Sequence, residues 1–152
     1  MEHQLNPKIQ AGVFAVIFDN KQRVLLCHRR DHDLWNLPGG VLEKGEAPWE
    51  GVRREVREET GLEVEVVRLT GIYYKPEQNE VVFSFLCKIT KGEITLTDEA
   101  DRIEYFEFQE IPSNSSPKQI ERIKDVLESE GCTMQTQIGP SAIEMLKNKN
   151  QV

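Results

Sequence analysis

The sequence predicts an α+β fold, or an α/β/α sandwich, rather than a doubly wound dinucleotide fold. Three observations carry this. Apolar, β-branched runs outnumber the helical patterns and do not alternate with them one for one. Two segments carry both helix start and helix stop residues. Neither GxGxxG nor GxxxxGK(S/T) occurs in the chain, so both common nucleotide fingerprints are missing. The 152 residues, 38% apolar and 30% charged, suit one globular domain spanning 1–152. A chain of ~150 residues hides about 70% of its unfolded surface, enough for a real core.

The elements follow in order. Residues 9–19 (IQAGVFAVIFD) and 23–29 (RVLLCHR) read as strands joined by the polar turn 20–22, which predicts a hairpin. Residues 34–40 (LWNLPGG) alternate briefly and end on breakers, and 41–47 form a loop. Pro48 to Thr60 reads as a helix, with proline in its first turn and Gly61 just beyond its end. Residues 62–73 and 80–89 are strands, 91–101 an acidic loop with a short strand, and 102–108 another strand. Ser116 caps a helix from Pro117 to about Glu130, with Ile120, Ile123 and Leu127 on one face and Gly131 as its stop. A short helical patch follows around 142–147, and the last 20 or so residues suggest no role.

Composition excludes several function classes. The formal charge of −7 argues against a dedicated DNA-binding protein, whose affinity comes from basic residues on phosphates. No apolar run approaches the ~18 residues of a membrane span, and the N-terminus lacks a signal-peptide layout. Cys27, Cys87 and Cys132 are too widely spaced for a metal knuckle, and the first two sit in apolar runs as buried thiols. These features predict a cytoplasmic protein with no membrane partner.

The chemistry lies in the helix PWEGVRREVREET. On a wheel of about 100° per residue, Val52, Val56, Trp49 and Thr60 form the core-facing stripe. Glu55, Glu58 and Glu59 share the adjoining arc, three or four residues apart, where like charges repel. One reading is a solvated acidic face partnered by Arg53 and Arg57. The other is a hard-oxygen site for Mg²⁺ or Mn²⁺, which bind carboxylates and substrate phosphates together.

Context favours the second. Gly40 is followed after five residues by Glu46, and after seven more by Arg54-Glu55-Val56-Arg57-Glu58-Glu59-Thr60-Gly61-Leu62. This segment, 40–62, resembles the Nudix box, G-x5-E-x7-R-E-U-x-E-E-x-G-U with U apolar, at every fixed position. The resemblance extends over residues 9 to about 130 and implies a mixed sheet between helices, with the box as loop–helix–loop. It also implies a Mg²⁺- or Mn²⁺-dependent hydrolase that cleaves the diphosphate linkage of a nucleoside diphosphate joined to X.

Roles carried over from the family fall on residues that match its motif. Glu55, Glu58 and Glu59 match the metal-binding glutamates, with Glu58 and Glu59 the leading ligands and Glu55 a ligand or water-orienting group. A bound ion would screen the diphosphate and lower the pKa of the attacking water. Glu46 and Arg54 match the bracing pair behind the ligands, and a Gly39 carbonyl is a further candidate ligand. Glu99, before the later aromatic strand, occupies the place from which some relatives draw a general base, with Glu104 as the weaker choice. Arg29 and Arg30 are candidates to reach phosphate, and Tyr73, Tyr74 and Phe83 to stack on a base. His28 and His32 read as structural or surface residues.

The resemblance leaves the substrate open among ADP-ribose, dinucleoside polyphosphates and (d)NTPs, and it allows a homodimer. Two alternatives share the fold: a non-catalytic nucleotide-binding regulatory domain, and an RNA 5′-end pyrophosphohydrolase. Three retained, mutually repelling glutamates weigh against the first. The net acidity weighs against the second and against any long nucleic acid as partner.

Overall fold

Two apolar strands, each buried on both faces, organise the molecule. In the computed structural model, which describes residues 8–149, these are β1 (Gln10–Ile17) and β2 (Val24–Arg29). A strand buried on both faces needs a covering layer on each side. β1 obtains them as the second strand of a five-stranded mixed sheet, ordered β4-β1-β6-β5-β8. There β4 is Gly39–Val41, β5 Glu63–Lys75, β6 Glu80–Lys91 and β8 Thr133–Thr136. β1 runs parallel to β6 and antiparallel to β4, while β5 is antiparallel to β6 and parallel to β8. β2 lies in a separate antiparallel sheet, between β3 (Trp35–Asn36) and β7 (Ala100–Phe106).

The expected β1–β2 hairpin is therefore not formed; the two strands share only the bridge between Phe18 and Val24. In the turn, Gln22 has φ 62°, and Asp19 accepts hydrogen bonds from the N–H groups of Lys21 and Arg23. This turn carries the chain out of one sheet and into the other. Placing the strands in different sheets lets their side chains meet face to face. Val13, Ala15 and Ile17 of β1 pack with Leu25 against Val52 and Val56 of helix α1 (Pro48–Thr60). Val16 packs with Val24 and Leu26 against Ile123 of helix α2 (Pro117–Glu128). The sequence period of two along β1 thus feeds one core on each side of the sheet, giving the expected α+β sandwich.

Several boundaries differ from expectation. Trp49 is 59% exposed; the buried stripe of α1 is Gly51, Val52, Glu55, Val56 and Thr60. It is turned toward Glu55, because Gly51 seats directly on the side chains of Leu42 and Glu46. Ser116 caps α2 as expected, accepting from the Gln119 N–H at 3.4 Å. The helix ends at Ser129 rather than Gly131, and its inner face carries Arg122, Ile123 and Val126, with Leu127 43% exposed. Residues 92–98 form no strand of their own, and β8 adds an edge strand that the sequence did not announce. Helix α3 (Ala142–Lys149) covers the expected C-terminal patch. Among the described residues no helix is long and apolar enough to cross a membrane.

Candidate active site

α1 delivers the carboxylates. Pro48 sits in its first turn, and Gly61 ends it in a left-handed conformation (φ 77°), donating its N–H to the Arg57 carbonyl at 2.9 Å. Glu55 and Glu59 lie one turn apart, so both side chains leave the same face. Glu99 joins them from the loop before β7, and one oxygen from each of the three carboxylates lies within 4.8 Å of the others.

Glu99 is about forty residues away in sequence, and its placement is a matter of helix-end bonding. The last turn of a helix leaves carbonyls without partners. The Thr95 N–H donates to the Thr60 carbonyl at 2.8 Å, and the Thr97 hydroxyl to the Glu59 carbonyl at 3.2 Å. The Glu99 N–H in turn donates to the Thr97 hydroxyl at 3.3 Å. Arg30 fastens the far side, donating from Nε to the Thr97 carbonyl and from its N–H to the Glu99 carbonyl. The loop thereby completes the helix and carries Glu99 to the other acids.

Burial and the crowding of like charges raise the carboxyl pKa of two members of the cluster, Glu59 and Glu55. Burial first, then repulsion from Glu55 and Glu99, pushes the Glu59 carboxyl up to about 8; the Gly39 backbone and the Cys27 thiol partly offset this by hydrogen bonding. Glu55 is raised chiefly by burial, against the pull of Arg54. Cys27, buried beside Glu59, is held well above the ordinary thiol range, first by burial and then by Glu59. Three hard oxygen donors held close together in a partly buried place fit a small divalent cation, whose charge would offset their repulsion.

Arg54 braces this arrangement. Its Nε and Nη2 donate to the two Glu46 oxygens at 2.6 and 2.9 Å, and Nη1 reaches Glu55 and Glu58, both at 3.1 Å. The fork also reaches the Val41 carbonyl at 3.3 Å, which ties α1 to the end of β4. Arg54 holds the Glu46 carboxyl below its usual range. Glu58 stands apart from the triad: it is exposed and leans on Arg54.

The glycines explain the close approach. A Cβ on Gly40 would stand 2.6 Å from a Glu55 oxygen, and one on Gly39 would collide with the Val13 carbonyl and the Phe14 ring. Gly39 meets the cluster through its backbone, hydrogen-bonded to the Glu59 carboxylate.

Glu59, Glu99, Gly39 and Gly40 line a cavity of about 630 Å³, together with Arg29 and Arg30. Arg29 is held by a two-pronged pair with Asp31, both bonds 2.7 Å. Tyr74 and Phe83 lie outside this lining: the Tyr74 hydroxyl bonds Asn79, and Phe83 packs on the core beneath α1. Tyr73 is buried and donates to Asp125 at 2.7 Å. Glu104 pairs with Leu26 in β7, away from the cavity lining. His28 is buried between Asp101 and Asp33, at 2.7 and 2.8 Å, a structural place. The sequence reading missed Phe14, Lys75, Glu80 and the start of α3 as lining residues. Opposite charges flanking the turn at Pro76 were a weak signal for Lys75 and Glu80; nothing pointed to α3.

Comparison with known proteins agrees with this geometry. A family model described as NUDIX domain matches residues 8–127. A "MutT-like protein" of Streptomyces ambofaciens is 35% identical over 125 residues, 82% of this chain and 81% of its own. An "ADP-ribose pyrophosphatase" of Methanocaldococcus jannaschii is 32% identical over 103 residues, 63% of this chain and 61% of its own. Among solved structures, an ADP-ribose pyrophosphatase from Streptococcus suis superposes with a TM-score of 0.71 at 25% identity, covering 86% of this chain and all of that one. The matched span contains the whole of α1 with Glu55, Glu58 and Glu59 and the Glu99 loop, and the chain belongs to the Nudix family of pyrophosphohydrolases.

Proposed function

We propose that this pyrophosphohydrolase uses Mg²⁺ or Mn²⁺ to cleave the diphosphate linkage of a small nucleotide of the ADP-ribose, dinucleoside polyphosphate or (d)NTP class. The observation that carries the reading is the cluster of Glu55, Glu59 and Glu99, of which Glu59 and Glu99 line a cavity that also exposes two arginines. The family generally works with divalent metal, and the three carboxylates, with Glu58 beside them, would hold it. Such an ion supplies charge neutralisation of the diphosphate and acidifies water.

The chain's own residues do the rest. Arg29 and Arg30 bind phosphoryl oxygens; Arg29 keeps its charge and its orientation through Asp31. Arg54 keeps Glu55 oriented within the cluster and holds Glu58 at its edge, so these carboxylates are ordered before substrate arrives. Glu99, exposed at the cavity edge, accepts the proton of the attacking water on a carboxylate oxygen. Water adds to one phosphorus, the bridging P–O bond breaks, and the proton ends on the departing phosphate. The net charge of −7 supports a small substrate over a long nucleic acid. Three free cysteines, two of them buried, support a reducing, cytoplasmic setting.

The test is product release from ADP-ribose, diadenosine polyphosphates and normal and oxidised (d)NTPs with Mg²⁺, in wild type and Glu59→Gln. We expect at least one substrate to turn over, with a loss of about a hundredfold or more in the variant. Equal rates in the two proteins would refute the reading. Binding without any turnover would instead indicate a regulatory domain.

A further inference from the structure

The cavity extends well past the carboxylates, and its far end is built from residues the proposed chemistry does not use. Lys75 and Glu80 face each other across the β5–β6 hairpin and pair at 3.0 Å, both largely buried, and both line the cavity. Lys75 lies on β5, three interstrand spacings from β4, so about 14 Å separates the two strands. That is the scale of a nucleoside diphosphate. Phe14 lines the same space, as do Ser141, Ala142 and Ile143 at the start of α3. These last three residues lie beyond the span 8–127 matched by the family model.

The wall they form is tied in place by backbone bonds. Gln137 donates its N–H to the Tyr74 carbonyl at 2.8 Å, beside Lys75. Gly139 is bonded at both ends: its N–H donates to Glu77 at 3.1 Å, and its carbonyl accepts from Lys118 Nζ at 2.7 Å. Its φ of 110° is one that glycine alone adopts freely. Ser141 then starts α3 with reciprocal bonds to Glu144.

The paired charges present a particular hydrogen-bond pattern. Lys75 Nζ donates, and beside it Glu80 Oε1 accepts, its bond to Nζ fixing the order. Glu80 Oε2 lies on the other side, over Gly12, which has no side chain to cover it. The order is donor, acceptor, acceptor. A guanine edge offers the complement, with the O6 acceptor, N1–H donor and N2–H donor in sequence. Uracil would set its O2 against a carboxylate oxygen, and adenine fills only two of the three places, N1 on Lys75 and N6–H on one oxygen of Glu80. Cytosine satisfies only part of the pattern, through N4–H and N3.

We propose that Lys75 and Glu80, roofed by the first turn of α3, form the base subsite of this enzyme and select guanine nucleotides. The assignment rests on the nucleotide-hydrolase reading above, but its test does not require turnover. Phe14 and Ile143 supply apolar surface for the ring faces, and the phosphates run from there toward Arg29, Arg30 and Glu59.

The experiment is calorimetric titration of the full chain, in Mg²⁺, with GMP, AMP, CMP and UMP. None of these contains a diphosphate linkage to cleave. Wild type should bind GMP at least tenfold more tightly than the other three. Glu80→Gln places an amide N–H against a guanine N–H, and Lys75→Met removes the O6 donor. Each should weaken GMP about tenfold to a hundredfold and abolish the preference. Ile143→Trp, which fills the cavity from α3, should also weaken GMP. If a single charge variant fails to fold, the double variant Lys75→Met/Glu80→Gln leaves no charge unpaired and carries the test. Equal binding of all four, no measurable binding of any, a preference for CMP, or a GMP preference that survives in both charge variants would each overturn the assignment. If Glu59→Gln matches wild type in turnover while GMP selectivity follows Glu80, the hydrolase reading fails and the base subsite stands.

Discussion

Raising the pH should weaken the metal-free protein and strengthen its hold on a divalent ion, and Glu59 sets the scale. Its carboxyl is pushed from the ordinary 4.5 to about 8 in the fold. Between those values the folded chain carries a proton that the unfolded chain has lost. The corresponding stability is fully present below about 4.5 and disappears as pH climbs through about 8. One proton contributes about 1.4 kcal/mol per pH unit, so the whole span sets a ceiling of about 5 kcal/mol. Glu55 is shifted in the same direction. A bound cation needs Glu59 ionised, so binding displaces the proton. Apparent affinity should then rise by up to about tenfold per pH unit from pH 6 to 8 and level off above. The assay is thermal denaturation from pH 6 to 9, with EDTA or with Mg²⁺ or Mn²⁺. The gap in Tm between the two should widen by several degrees toward high pH, since about 1 kcal/mol is worth roughly 2–4 °C at this size. In Glu59→Gln the gap should depend on pH much less over that range, with only the smaller contribution of Glu55 remaining. A constant gap in wild type, or an unchanged slope in the variant, would refute the reasoning.

Three further outcomes are expected. Gly40→Ala should keep the fold and lower kcat/KM at least tenfold, because its Cβ would stand 2.6 Å from Glu55 and must displace that carboxylate; kinetics and a melting curve separate the two effects. Arg54→Ala should cost about 2–4 kcal/mol in urea unfolding, since Glu46 and Glu55 lose a largely buried partner; Arg54→Lys should recover only part of this, having no fork. Thr97→Val preserves shape but removes the hydroxyl that joins Glu99 to α1; it should cost about 1 kcal/mol of stability and proportionally more in turnover.

What the sequence made legible was local. Residues 40–62 carry the helix, its stop and the spacing of Glu55 and Glu59, because each depends on neighbours within a turn or two. The Glu46–Arg54 pair spans a single loop and was equally accessible. The β1–β2 hairpin failed because a turn signal fixes that a chain reverses, not that its arms bond to each other; buried faces on both strands decided that. Leu127 and Val126 are neighbours in sequence but about 100° apart on the wheel, and the tilt of α2 on its sheet, which periodicity does not contain, chose Val126. Arg122 is 2% exposed in the core, and only the fold supplies its partner, Gln137, and the rings of Phe14 and Tyr73. The C-terminal segment was unreadable for the same reason: its four-residue strand and short helix acquire meaning from the hairpin they dock against.

The bonds from the Glu99 loop to the end of α1 bear on ion size. The Thr97 hydroxyl joins the Glu59 carbonyl to the Glu99 N–H, so the backbones that carry the two carboxylates are held at a fixed spacing. Gly40 closes the opposite side against Glu55. A frame of this kind resists expansion. Mg²⁺ takes oxygen at about 2.0–2.1 Å, whereas Ca²⁺ takes it at about 2.3–2.6 Å and asks for more ligands. If the proposed metal site is held in this way, it should discriminate by ionic radius, with Mg²⁺ or Mn²⁺ supporting turnover and Ca²⁺ failing to do so.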